Sequence, residues 1–133
     1  MIIILDTNFL LYAAKYKIDV SQELYRICDF NYKVIVPEQV SQELKMLAKN
    51  GKGKEKQDAL IALELAKEFK IQKINARNAD DAILKLASHT SEASETGEVA
   101  IGSLDKALLT RFKKFKKGKI LTIRQKKYIC FVN

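Results

Sequence analysis

An aspartate set directly after a wholly apolar run is the first residue of this chain that could do chemistry. Residues 2–5 read Ile-Ile-Ile-Leu, and Asp6-Thr7-Asn8 follows at once. A continuous apolar run is the pattern of a strand covered on both faces. In open parallel sheets, ligands collect beyond the carboxyl ends of the strands, so Asp6 is predicted on such a rim. Asp105 follows a second, weaker apolar run at residues 99–102 and is predicted to reach the same rim. Two carboxylates brought together there repel each other, and a divalent cation or a shared proton must offset that cost.

Two further acids come from helices. In residues 79–88, Ile83, Leu84 and Ala87 form an apolar face, and Asp80 stands at helical spacing to them, whereas Asp81 aligns with Lys85 and Ser88 on the polar side. Helix phase thus selects Asp80 as the inward acid and leaves Asp81 solvated or supporting it from behind. Glu43 falls between Val40 and Leu47 on the inner stripe of its own helix. Each acid alone has a plainer explanation: Asp6 as a turn or helix cap, Asp80 as a helix N-terminal acid, Glu43 as a surface residue. Four acids reaching one rim by independent arguments weigh against it.

The chain has a single histidine, His89, and two cysteines far apart, Cys28 and Cys130. That excludes zinc sites of the usual His/Cys kind and any acid–base pair of histidines. His89 itself, within Ser88-His89-Thr90-Ser91, reads as part of a solvated helix end. Hard oxygen ligands without nitrogen or sulfur point to Mg²⁺ or Mn²⁺. Reduced thiols, no basic leader before the first apolar run and no run near the ~18 residues needed to span a bilayer lead us to expect a cytoplasmic protein with no membrane contact.

These acids need a scaffold, and 133 residues with 47% hydrophobic content suit one domain. Strands are predicted at 2–5, 33–36, 71–74, 99–102 and 119–123. Helices are predicted at about 9–14, 20–29, 37–49, 55–69 (burying Ile61, Leu65 and Phe69), 79–88 and 104–115 (Leu104, Ala107, Leu108, Phe112 and Phe115 inward). Residues 90–97 read as a loop. The alternation implies a three-layer α/β/α domain spanning 1–133, with a central, mostly parallel five-stranded sheet.

Charge is distributed unevenly. The net charge is +8, and residues 103–133 hold ten basic side chains against one acid, Asp105. This basic C-terminal segment, 106–127, would draw a polyanion to one end of the molecule; taken alone it favours nucleic acid only modestly.

At the residues that carry the acids the chain resembles the PIN-domain family of small α/β nucleases. The matching pieces are Ile2-Ile3-Ile4-Leu5-Asp6-Thr7-Asn8, Val34-Ile35-Val36-Pro37 leading to Glu43-Leu44, Ala79-Asp80-Asp81-Ala82-Ile83-Leu84, and Ser103-Leu104-Asp105-Lys106-Ala107-Leu108, in the family's order. The double aspartate and the basic stretch ending Ile120-Leu121-Thr122-Ile123-Arg124 look most like the archaeal single-domain branch related to ribosomal-RNA-processing proteins, which also resembles the toxin ribonucleases of toxin–antitoxin pairs. One block departs: the family often has Thr-Asn-Asp where this chain has Ser103-Leu104-Asp105.

The resemblance implies a metal-dependent endoribonuclease acting on single-stranded RNA, in RNA processing or as a toxin. Asp6, Glu43, Asp80 and Asp105 would hold one or two Mg²⁺ or Mn²⁺ ions. Thr7, Asn8 and Ser103 would orient these ligands or waters from behind, and Lys106, Arg111 and Lys113 would hold the RNA backbone. It also implies a homodimer and an antitoxin or ribosome-assembly partner. The alternatives are a catalytically inactive RNA-binding module, a protein-binding scaffold, and a phosphoacceptor receiver domain. The receiver would need an acidic pair after the first strand, yet Leu5 and Thr7 flank Asp6, and the third strand leads into Asn75-Ala76.

Overall fold

A computed structural model describes residues 1–93, 97–115 and 118–132. The strands are β1 (Ile2–Leu5), β2 (Lys33–Pro37), β3 (Lys70–Gln72), β4 (Val99–Gly102), β5 (Gly118–Arg124) and β6 (Tyr128–Phe131). The helices are α1 (Thr7–Lys15), α2 (Val20–Ile27), α3 (Glu38–Asn50), α4 (Lys54–Ala66), α5 (Ala79–Ala93) and α6 (Lys106–Phe112). The strands form one sheet in the order β3-β2-β1-β4-β5-β6. All neighbours are parallel except β5 and β6.

The expected α/β layering is present, with one strand more among the described residues than the five expected. β6 is joined to β5 by a tight reversal in which Gln125 and Lys126 take positive φ. No glycine or proline marks that turn, and Tyr128–Phe131 is short, so its signal in the sequence is weak.

The strand order matters for the site. From β1 the chain builds outward through β2 to β3, then crosses back by α5 to lay β4 on the other side of β1. The order thus reverses at β1, between β2 and β4, and in open α/β sheets the ligand crevice lies outside the carboxyl ends of the strands at such a switch point. The central strands are apolar throughout because both faces are covered: Ile3, Ile4, Leu5, Val99, Ala100 and Ile101 are wholly buried.

Helix phase differs from expectation in three places. In α4 the inward face is Ala59, Ala62 and Ala66 with Asp58, whereas Ile61 is exposed and Leu65 only partly covered. Small residues let α4 lie close against α1 and α3, its main neighbours; bulk there would hold the helices apart. In α3, Ala48 joins Val40, Ser41 and Leu44 in the buried stripe, while Leu47 is half-buried. The last helix, expected from residue 104, begins at Lys106 with Asp105 as its cap; Leu108 and Phe112 are buried and Ala107 is exposed.

One boundary also moves. α5, expected to end near Ser88, continues to Ala93, because the small residues after His89 are neutral rather than breaking in a helix. The loop expected at 90–97 is thus helical in its first part, and residues 94–96 lie outside the described residues, as do Lys116 and Lys117 of the basic segment. Cys28 and Cys130 are free thiols, each partly covered. No helix among the described residues is long and apolar enough to cross a membrane.

Candidate active site

The crevice between the ends of β1 and β4 is organised around Asp6. Leu5 pairs with Gly102 in the sheet, and the Asp6 N–H donates to the Gly102 carbonyl at 3.1 Å, extending the ladder one residue. Gly102 has a steric reason to be glycine. A Cβ there would stand 2.7 Å from Cδ2 of Leu5 and 3.3 Å from the Phe9 ring, so its absence lets the strand pair and the start of α1 close on each other.

Asp6 caps α1, its Oδ1 accepting from the Phe9 N–H at 2.7 Å. Its Oδ2 accepts from the Ser103 hydroxyl, and that same Oγ accepts from the Asp105 N–H at 3.1 Å. One serine therefore links the acid after β1 to the acid after β4. The block where this chain departs from the family pattern still carries the hydrogen-bonding group that the site uses.

Asp6 is 4% exposed. Burial is the largest influence on its carboxyl, pushing it up from 3.8 to about 6 against the bonds from Ser103 and Phe9; the charges of Asp80 and Asp105 push the same way. Asp80 is also raised, first by burial, then by Asp105 and Asp81, with Arg111 opposing. Asp6, Asp80 and Asp105 are thus within electrostatic reach of one another. Asp105 caps α6, its Oδ1 accepting from the N–H groups of Ala107 and Leu108.

Asp80 and Asp81 are both half-buried, and their partners differ; Leu84, expected on the buried face, is only partly covered. Asn78 caps the start of α5, its Oδ1 accepting from the Asp81 N–H at 2.9 Å. Ile83 and Ala87 are buried, and Asp80 sits half-buried on their side. Asp81 is held by arginines, 3.4 Å from Arg111 and 3.8 Å from Arg77.

Glu43 is exposed rather than on the buried stripe of α3, a correction to its expected position. It nevertheless meets the site: the Thr7 hydroxyl donates to Glu43 Oε2 at 2.6 Å, tying α3 to the start of α1. Asn8 is exposed beside them, and Lys106, Arg111 and Lys113 are exposed on and just beyond α6.

Among the described residues, no three Asp, Glu, His or Cys side chains converge into a ready-made metal cage. There are physical reasons for an open arrangement. Both Asp6 oxygens already accept from protein donors, and uncompensated carboxylates gain by standing apart.

Sequence reasoning did not anticipate two features. Arg111, expected as an RNA contact, pairs with Asp81 and lowers Asp80. Gln39 donates to the carbonyls of Ile74 and Ala76 at 2.7 and 3.3 Å, fixing the segment that delivers α5. An Arg and a Gln at surface-like positions give no local signal of such long-range partners.

The profile of the PIN like domain matches residues 3–126. The chain belongs to the PIN-like domain family. A curated relative, Ribonuclease VapC4 of Methanocaldococcus jannaschii, is 33% identical over 128 residues, covering 95% of this chain and 92% of the relative. Among solved structures, the PIN domain endonuclease Utp24 superposes with a TM-score of 0.74 at 23% identity, covering 98% of this PIN-like chain and 90% of that one. A domain of a functionally unknown protein from Methanocaldococcus jannaschii superposes with a TM-score of 0.51 at 15% identity, covering 92% and 91%. At those identities the two superpositions establish the fold.

Ser103→Ala removes a donor that holds the Asp6 carboxyl down. Its midpoint is expected to rise above about 6, read by NMR titration of the Asp6 side chain; an unmoved midpoint would mean the hydroxyl does not act on the charge.

Proposed function

We propose that this PIN-like chain is a metal-dependent endoribonuclease whose centre is Asp6, with Asp80, Asp105 and Glu43 around it. The observation that carries the reading is the buried Asp6 at the β1/β4 crevice, linked through Ser103 to Asp105 and raised by both Asp80 and Asp105. The 33% identical relative, a ribonuclease, supports RNA as the substrate.

The donor set suits Mg²⁺ or Mn²⁺: four carboxylates, no nitrogen or sulfur among them, and three coupled by repulsion that a cation relieves. Asp6, Asp80, Asp105 and Glu43 would hold the ion. When bound, a divalent cation supplies activation of water and charge neutralisation at the scissile phosphate.

The remaining tasks fall to side chains of known position. Ser103 and the Phe9 N–H orient Asp6, and Thr7 orients Glu43. Arg77 and Arg111 hold Asp81, keeping its charge from adding fully to the repulsion at Asp80. Arg111, Lys106 and Lys113 offer the RNA backbone an exposed basic edge beside α6. The absence of a groove-reading motif favours single-stranded RNA.

The test is incubation of labelled single-stranded RNA with the protein and Mn²⁺, with and without EDTA, alongside Asp6→Asn. Cleavage is expected only for the wild type with the metal. Cleavage that survives EDTA or the substitution would overturn the metal-carboxylate reading, and tight binding without turnover would instead identify an RNA-binding module.

A further inference from the structure

Next to the acidic crevice lies a cavity of about 430 Å³, within the roughly 300–1,000 Å³ typical of small-ligand sites. It runs between α1 and the start of α4. Two of its lining residues tie it to the crevice: Asn8 follows Thr7 in the chain, and Leu104 lies between Ser103 and Asp105. The cavity therefore adjoins the crevice through residues next to Thr7, Ser103 and Asp105 in the chain.

Its chemistry is that of a base pocket. Leu11, Leu104 and the ring of Tyr12 give it flat and apolar walls, and Lys15 and Lys54 stand at its mouth with Glu55. In its wall is Asp58, 8% exposed on the inward face of α4. Asp58 Oδ1 is buried and accepts no hydrogen bond; the Lys54 ammonium lies 3.2 Å away without bonding geometry. The carboxylate is thus compensated by a single ion pair and by no aligned donor at that oxygen, an arrangement that a better-aligned pair of donors improves on. Lys54 is mostly exposed, so it can swing out to a phosphate and bare the carboxylate.

We propose that this cavity holds one nucleobase of the RNA beside the cleaved phosphate, with guanine favoured. The inference rests on the ribonuclease reading for its substrate. Tyr12 supplies a stacking face, which tolerates any base. Asp58 supplies selection. An ionised carboxylate only accepts hydrogen bonds, and the Watson–Crick edge of guanine presents two adjacent donors, N1–H and the exocyclic amine, where the other bases mix donors with acceptors. Lys15 and Lys54 then meet the flanking phosphates.

The test is cleavage of a random-sequence RNA pool by the full chain with Mn²⁺, followed by sequencing of the cut ends. Guanosine is expected to be enriched at one fixed position relative to the cut. Inosine there, which lacks the exocyclic amine, lowers kcat/KM about tenfold. Asp58→Asn, nearly the same size, erases the enrichment while the pool is still cut, and Tyr12→Ala raises KM about tenfold with kcat little changed. Cleavage without base preference, or a guanosine preference that persists in Asp58→Asn, overturns the proposal. If Mn²⁺ supports no cleavage, the ribonuclease reading fails, and binding of short oligonucleotides decides the pocket. Tighter binding of guanosine-containing than of uridine-only oligomers, lost in Asp58→Asn, with both weakened in Tyr12→Ala, upholds it; equal binding by the wild type, or a preference kept by Asp58→Asn, overturns it.

Discussion

Asp6→Asn is expected to abolish metal-supported RNA cleavage and, without a divalent cation, to make the fold more stable at neutral pH. The two effects have one cause. Burial raises the Asp6 carboxyl to about 6 in the folded chain, against 3.8 for the exposed group. A group raised on folding contributes stability that is fully present below its unfolded value and is lost as pH rises through the folded value. Metal-free wild type should therefore weaken between about pH 4 and 6, by about 3 kcal/mol from this group. Asp80 is raised as well and acts in the same direction.

Asparagine keeps the architecture around position 6. Its carbonyl oxygen can cap α1 at the Phe9 N–H, as asparagine does well, and its amide can donate to Ser103 Oγ. What it removes is the charge. Urea unfolding of wild type and Asp6→Asn in EDTA should give equal midpoints near pH 4 and a clear advantage for the variant at pH 7.5. A variant less stable than wild type at pH 7.5 would show that Asp6 is a structural cap more than a charged site. Added Mn²⁺ should stabilise wild type at pH 7.5 through binding to the folded state alone, and leave the variant little changed.

Phe9→Ala is expected to cost about 3–5 kcal/mol of stability, the usual loss for a wholly buried aromatic. Its ring fills the space beside Gly102 where a Cβ would stand 3.3 Å away. Removing it leaves a cavity between α1 and the β1/β4 pair that rigid strands cannot close. The same residue's N–H holds Asp6 Oδ1, so loosening there should also lower cleavage at temperatures where the variant remains folded. Denaturant midpoints compared with Phe9→Leu test this; equal stability of Phe9→Ala and wild type would mean that α1 is not anchored through this ring.

Much of the layout was legible from local patterns. β1 and β4 are apolar on both faces, so their residues announce buried parallel strands; Asp6 directly follows β1, and Asp105 follows β4 after Ser103 and Leu104. Helix phase placed Ile83 and Ala87 on the buried side of α5, but that side turns toward Ala82 and Leu86 rather than Leu84, and Asp80 and Asp81 are both half-buried. The same periodicity failed in α4, where close packing of helices selected the alanine face over the bulkier Ile61 and Leu65. It failed for Glu43 because a hydroxyl from another element, not burial, brings that acid to the site.

By itself, then, the order of residues determined that acids would stand after two buried strands and that a double aspartate would open a helix. These follow from periods of two and 3.6 residues, which are properties of the local backbone. Only the tertiary structure decided that β4 lies beside β1, and hence that Ser103 donates to Asp6 across 97 positions of sequence. It alone decided that burial raises Asp6, that Arg111 turns to Asp81, and that Asp58 is covered. Dehydration and through-space charge depend on which distant segments meet, and no local pattern records that.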